Sequence, residues 1–193
     1  MRATAERLLA ALAELPVVVQ HADVVVRVLD VPSYGGPRPS SIVTLAGAGR
    51  TGRGEHVGWT VAEHETFAGS VDAIPLRGAA RLGDVASRLR AAGLGPYDRA
   101  ALEAAAIALA LAQRGTTLGS LVGVVPRPIR TVVSFARVAD PAAEAARHPG
   151  QALKVDVDPS WPEATWAALG ALGHTAILDW KGSGDANAYA RAL

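Results

Sequence analysis

The sequence predicts a mixed α+β region followed by an α/β region of about three strand–helix units. Three textures predict it. Residues 17–61 are rich in valine and punctuated by glycine and proline, which suits antiparallel strands joined by tight turns. Residues 62–123 turn to alanine and leucine at helical spacing. From Thr131 onward short apolar runs alternate with helix-length segments, the pattern of a parallel sheet with helices on its face.

Composition bounds the function classes. Half of the 193 residues are hydrophobic, enough for a substantial core. Nineteen basic against eighteen acidic residues, with no basic run, leave no electrostatic footprint for nucleic acid or an anionic membrane. The absence of cysteine rules out disulfides and thiolate chemistry, fits a reducing cytoplasm, and restricts any metal to oxygen or nitrogen ligands. The longest apolar run, Ala104 to Ala112, is far short of the ~20 residues of a membrane span.

In chain order, "MRATAERLLAALAEL" reads as an amphipathic helix, because Glu6 and Glu14 interrupt the apolar run that a targeting segment needs. Pro16 ends it, and "VVVQHADVVVRVLDV" supplies one or two strands. After the loop "PSYGGPRPSS", the stretches "IVTLAGAG" and "HVGWTV" are expected to pair as a hairpin, giving a meander of about three strands. Gly47, Gly49 and Gly52 form a G-x-G-x-x-G, but a dinucleotide loop needs a helix directly after it, and Arg53-Gly54 cannot complete a P-loop. A glycine-rich turn between strands is expected instead.

"AARLGDVASRLRAAGL" and "YDRAALEAAAIALALAQRG" are read as helices, the second with Asp98 as N-cap and Gly115 past its end. Next come a strand "TVVSFA", an acidic, alanine-rich linker "DPAAEAARHPG", a strand "ALKVDV", a helix in "PSWPEATWAALGALG", a strand "TAILDW" and the start of a helix in "GDANAYARAL". Lys154, Asp156 and Asp158 lie at the carboxyl end of one strand, Asp179 and Lys181 at that of the next. Active sites of parallel α/β sheets form at that edge.

Three of these stretches together resemble the enolase superfamily, in its mandelate racemase and muconate lactonising branch. "GRGEHVGW" is similar to the turn of its N-terminal capping domain, "ALEAAAIALALAQRGTTLGSLVG" to its capping helix, and "ALKVDV" with "AILDW" to its second and third barrel strands. The resemblance spans about residues 17–193, with the first helix as an addition. It implies a capping domain over 1–125 and a partial, TIM-like (β/α) barrel domain over 126–193.

It also implies a magnesium-dependent isomerase or lyase that abstracts a proton α to a carboxylate of a small-molecule substrate. In the family a Lys-x-Lys on the second strand places two ammonium groups on one face, since residues i and i+2 point the same way. Here Lys154 is in place and Asp156 stands at the usual base position, which puts lysine-based racemisation in doubt while leaving a carboxylate base open. Asp179 matches the family's first metal carboxylate and is preferred to the later "DAN" at Asp185 to Asn187. Lys181 completes a possible four-member charge cluster.

Each assignment has a plainer counterpart. Lys154 and Asp156 could be a structural ion pair, and Asp158, followed by Pro159-Ser160, a turn or capping residue. His21, His56, His64, His148 and His174 lack metal-ligand spacing and receive no role. A TIM barrel alone takes about 250 residues, so barrel strands four to eight and the other metal ligands are expected to be missing. The chain therefore reads as the front piece of a longer product or as a truncated copy. The alternative to an enzyme is a non-catalytic remnant that persists as a homo-oligomer or with a partner chain.

Overall fold

The computed structural model describes residues 2–31, 36–125, 127–135, 140–172, 176–182, 187 and 190. The chain divides into two compact units, one of Met1–Asp30 with Pro37–Arg127, the other of Val31–Gly36 with Pro128–Leu193.

In the first unit, α1 (Arg2–Ala13) leads into β1 (Pro16–Val19) and β2 (His21–Val31). Strands β3 (Gly36–Gly47) and β4 (Arg50–His56) follow, then α2 (Val61–Ser70), a single 3-10 turn (Val71–Ala73), β5 (Gly78–Arg81), α3 (Leu82–Ala91), α4 (Pro96–Arg114) and α5 (Leu118–Val122). Two antiparallel arrangements result: a three-stranded sheet in the order β2-β3-β4, and a separate β1–β5 pair in which Val17 faces Ala80. The sequence predicts the meander but not β5, of which Ala79 to Arg81 fall within the helix expected over "AARLGDVASRLRAAGL". Alanine carries little strand preference, so only the pairing with β1 makes that segment extended.

The hairpin between β3 and β4 turns on Ala48 and Gly49, both at positive φ (48° and 69°), with Gly47 paired to Arg50. This is the two-residue turn whose twist matches that of the strands. The strand after it is the glycine stretch itself, Arg50–His56, and not "HVGWTV". Sterics explain the correction. A Cβ on Gly52 would lie 2.2 Å from the Ala105 carbonyl, and one on Gly54 2.0 Å from the Ala101 carbonyl, so β4 can lie directly on α4 only because these positions have no side chain. The chain then leaves the sheet because Thr60 and Glu63 form a reciprocal capping box that starts α2.

Helix α4 is the axis of the core. Ala101, Leu102, Ala105, Ala106, Leu109 and Ala110 are buried on it, against Val17 and Val19 of β1, Val43 and Leu45 of β3, and Val85 and Leu89 of α3. The Gln113 side chain binds both the N–H and the carbonyl of Val18 (3.0 and 2.8 Å) and the Gly47 carbonyl (3.0 Å), so one amide joins β1 to the end of β3. Asp98 is not the N-cap of this helix. Gly95 is, and Asp98 sits three residues on, accepting from the Gly95 N–H at 3.1 Å. Gly115 closes the helix in the left-handed conformation, as expected from sequence.

The second unit contains β6 (Val132–Phe135), α6 (Pro141–Ala146), β7 (Ala152–Asp156), α7 (Glu163–Gly170) and β8 (Ala176–Asp179). The three strands are parallel in the order β6-β7-β8. The segment expected to be a linker is a short helix, α6, because Pro141 is tolerated at its first turn and the Asp140 carboxylate accepts from the Ala143 N–H at 2.9 Å. Leu153 and Val155 point into a small core with Ala145, flanked by Val133, Trp161 and Leu172. His174, Asp185 and most of "GDANAYARAL" lie outside the described residues. No described helix is long and apolar enough to cross a membrane.

Candidate functional site

Because Leu153 and Val155 face the core of the second unit, the strand alternation turns Lys154 and Asp156 to the opposite face of β7. The register places Asp156 directly beside Asp179 on β8. Two neighbouring carboxylates repel, and two ammonium groups offset that. Lys154 Nζ donates to Asp156 Oδ1 at 3.3 Å and also to Asp179 Oδ2. Lys181 Nζ donates to Asp179 Oδ2 at 2.5 Å and lies 3.4 Å from Asp156 Oδ1. The four residues singled out from sequence thus form one alternating cluster at the carboxyl edge of the sheet.

Lys181 reaches that position through a left-handed backbone (φ 49°), uncommon for a non-glycine residue, with its own N–H donating to Asp179 Oδ1 at 3.2 Å. The Lys154 and Lys181 ammonium groups, with that N–H, hold the Asp179 carboxyl well below the usual carboxylate range. Asp179, and secondarily Asp156, raises Lys181 above the ordinary lysine value. Asp158 makes a local turn, as its sequence context suggested: its Oδ1 accepts from the Ser160 N–H (2.9 Å) and hydroxyl (2.7 Å).

A second polar constellation, in the first unit, had no sequence signal. His56 and His64, eight residues apart, meet with ring centroids 4.5 Å apart and are both buried. His56 ends β4 and His64 sits in the second turn of α2, so the tight Gly58-to-Thr60 connection brings them together. Metal-ligand spacing on one element cannot find a pair made across a strand-to-helix corner.

The mixed α+β fold with its antiparallel sheets is that of enolase-superfamily proteins of the mandelate racemase and muconate lactonising type. An L-Ala-D/L-Glu epimerase superposes with a TM-score of 0.65 at 18% identity, over 93% of this chain and 59% of that one. An enolase family member from Agrobacterium tumefaciens with homology to dipeptide epimerases, bound to sodium and L-Ala-L-Glu, gives 0.60 at 22%, over 86% of this chain and 55% of that one. An enolase from Gibberella zeae PH-1 complexed with magnesium, formate and sulfate gives 0.57 at 16%, over 90% and 52%. At these identities the likeness is one of fold, and the chain spans between half and three-fifths of the length of these structures. Residues 10–121, more than half of the chain, match the family described as the N-terminal domain of a domain of unknown function, DUF8230, and the chain belongs to that family. No curated protein matches the sequence.

Proposed function

We propose that the Lys154, Asp156, Asp179 and Lys181 cluster is the amino-terminal share of an enolase-type acid–base centre, acting on a small molecule that carries a carboxylate and abstracting the proton α to it. The supporting observation is the place of the cluster: four ionisable groups converge at the carboxyl edge of adjacent parallel strands. In this reading residues 1–125 are the capping domain and 126–193 the start of the barrel. Asp156, fixed between two ammonium groups, is the proton acceptor, and Lys154 and Lys181 offer positive charge to the substrate carboxylate.

A divalent cation, when bound, would supply stabilisation of enolate charge that develops only in the transition state. The described residues do not fit such an ion as they stand. Asp156 and Asp179 are both engaged by ammonium groups, and no cluster of three His, Cys, Asp or Glu exists among the described residues. Asp179 can become a metal ligand only with oxygen donors from elsewhere and with its lysines displaced.

Solvent deuterium exchange at the α-carbon, followed by proton NMR, tests the reading. A dipeptide panel that includes L-Ala-L-Glu should show incorporation with the wild-type chain and none with Asp156→Asn. If incorporation is absent throughout, or equal in the two proteins, the acid–base assignment fails. A second, non-catalytic reading draws on the apolar side chains exposed on three strands: Val25, Val28 and Leu29 on β2, Val132 on β6 and Ile177 on β8. It requires a self-associated chain, which sedimentation across a concentration series would detect as a rise in mass.

A further inference from the structure

We infer that the Lys154 and Lys181 ammonium groups are the resident cation of the rim, supplying between Asp156 and Asp179 the two positive charges that an enolase-type centre takes from a divalent metal, so that a carboxylate ligand binds there without one. The inference rests on the reading of the rim as the substrate site, and it starts from the misfit between that rim and a metal ion.

Composition is the first observation. Of the nineteen lysine and arginine residues only two are lysines, and they are Lys154 and Lys181. Elsewhere the chain uses arginine, and Arg77, Arg81, Arg99 and Arg147 make the ordinary ion pairs with carboxylates. The two cations differ in shape. A guanidinium presents its hydrogens in one plane, whereas a compact ammonium points three hydrogens in separate directions. Lysine therefore suits a position where one cation must bond two carboxylates on adjacent strands and keep a hydrogen for a third partner.

The geometry is of that kind. Lys154 Nζ bonds Asp179 Oδ2 and lies 3.3 Å from Asp156 Oδ1; Lys181 Nζ lies 2.5 Å from Asp179 Oδ2 and 3.4 Å from Asp156 Oδ1. Both ammonium groups thus rest on the same two oxygens, the two that a bridging metal would take from Asp156 and Asp179. Two negative and two positive charges balance. Magnesium holds its oxygens at about 2.0–2.1 Å, inside the space the two nitrogens occupy, so an ion could enter only by displacing both.

Access favours an anion. The Asp156 and Asp179 side chains are 19% and 25% exposed, those of Lys154 and Lys181 30% and 51%, so a ligand reaching the rim meets ammonium hydrogens before it meets carboxylates. Lys181 is held there by a left-handed backbone, which a side chain other than glycine adopts at a cost. In the row through Lys154 the neighbours are Ser134 on β6 and Ile177 on β8, neither of them anionic. Two directions of each ammonium are taken by the aspartates, and the third is left for the ligand. The group this fits is one carboxylate, an oxygen to each ammonium, with charge that develops on those oxygens held in the same way.

Because the chain has two lysines, the full chain labelled with ε-¹⁵N-lysine gives two Nζ signals. They are followed while L-Ala-L-Glu is titrated in, once with EDTA and once with excess magnesium. We expect both signals to shift with the same midpoint in the two series, and magnesium alone to move neither. In Lys181→Gly, where the left-handed backbone suits glycine, the remaining signal should show a midpoint raised roughly tenfold or more. Signals that move with magnesium alone, a carboxylate response that requires magnesium, no carboxylate response in either series, or an unchanged midpoint in Lys181→Gly would each overturn the inference. The wild-type spectra alone decide it if the variant fails to fold. A metal-independent response without deuterium exchange at the α-carbon would sink the acid–base reading and leave this inference standing. Exchange that depends on magnesium would do the reverse.

Discussion

The two units place ionisable groups in opposite ways. In the first, two histidines and a serine are sealed beside a helix that touches bare strand backbone, and their polar atoms find partners inside the core. In the second, two aspartates and two lysines share an open rim, and each charge has two partners. Burial makes the first cluster unforgiving, because a lost partner leaves an unsatisfied group. Exposure makes the second permissive, because water replaces whatever is removed. The first cluster therefore holds structure, while the second tolerates substitution with little loss of packing.

The largest break of this contrast should come where packing admits no adjustment. Gly54→Ala sets a methyl group 2.0 Å from the Ala101 carbonyl, against backbone that cannot rotate away. Urea unfolding should show a loss at or above the upper end of the roughly 1–3 kcal/mol typical of overpacking. An unchanged midpoint would mean that β4 and α4 are not in contact. Ser41→Ala comes next. It deletes the fully buried hydroxyl 2.7 Å from His64 Nδ1 and should cost about 1–3 kcal/mol, the penalty of an orphaned buried group.

How much of this was legible in the sequence follows from the same division. The rim was readable because strand alternation and the polar ends of "ALKVDV" and "TAILDW" are local signals, whereas the register that sets Asp156 beside Asp179 is seen only in the structure. The helix α4 was readable from its composition and its terminal glycine. The histidine pair was not, because it needs the Thr60–Glu63 capping box to reverse the chain in four residues, and the valine and tryptophan of "HVGWTV" argue for a strand there. Nor was the reason for Gly52 and Gly54, which lies in a helix some fifty residues later. Glycine spacing resembled a nucleotide loop, whereas the constraint is the distance between two backbones.

On the rim the expected effects are smaller, and their pH dependence follows from Asp179 and Lys181. Asp179 is held below its ordinary value, so its contribution is present above the unfolded carboxylate range, about pH 4, and is lost as the pH falls through the folded value. Lys181 is raised, so its contribution is present below the unfolded lysine value, about pH 10, and is lost as the pH rises through the folded one. Asp179→Asn should thus produce a stability difference that is flat from about pH 5 to 9, fades at both ends and shrinks with added salt.

Magnesium is the finest probe of the rim. With both carboxylates neutralised by Lys154 and Lys181, calorimetric titration of the wild-type chain should give no heat that Asp179→Ala removes. Lys154→Met combined with Lys181→Met should change this, because together they take away both ammonium groups on Asp179 Oδ2 while leaving the carboxylate in register beside Asp156. Weak binding in that variant and none in the wild type would show that a lysine stands where a cation would bind. Asp179-dependent binding in the wild type would show the reverse, that the ammonium groups yield to the ion and the rim is a metal site already. Magnesium usually takes only one or two protein carboxylates and fills its remaining positions with water or substrate oxygens, so two aspartates suffice for this comparison.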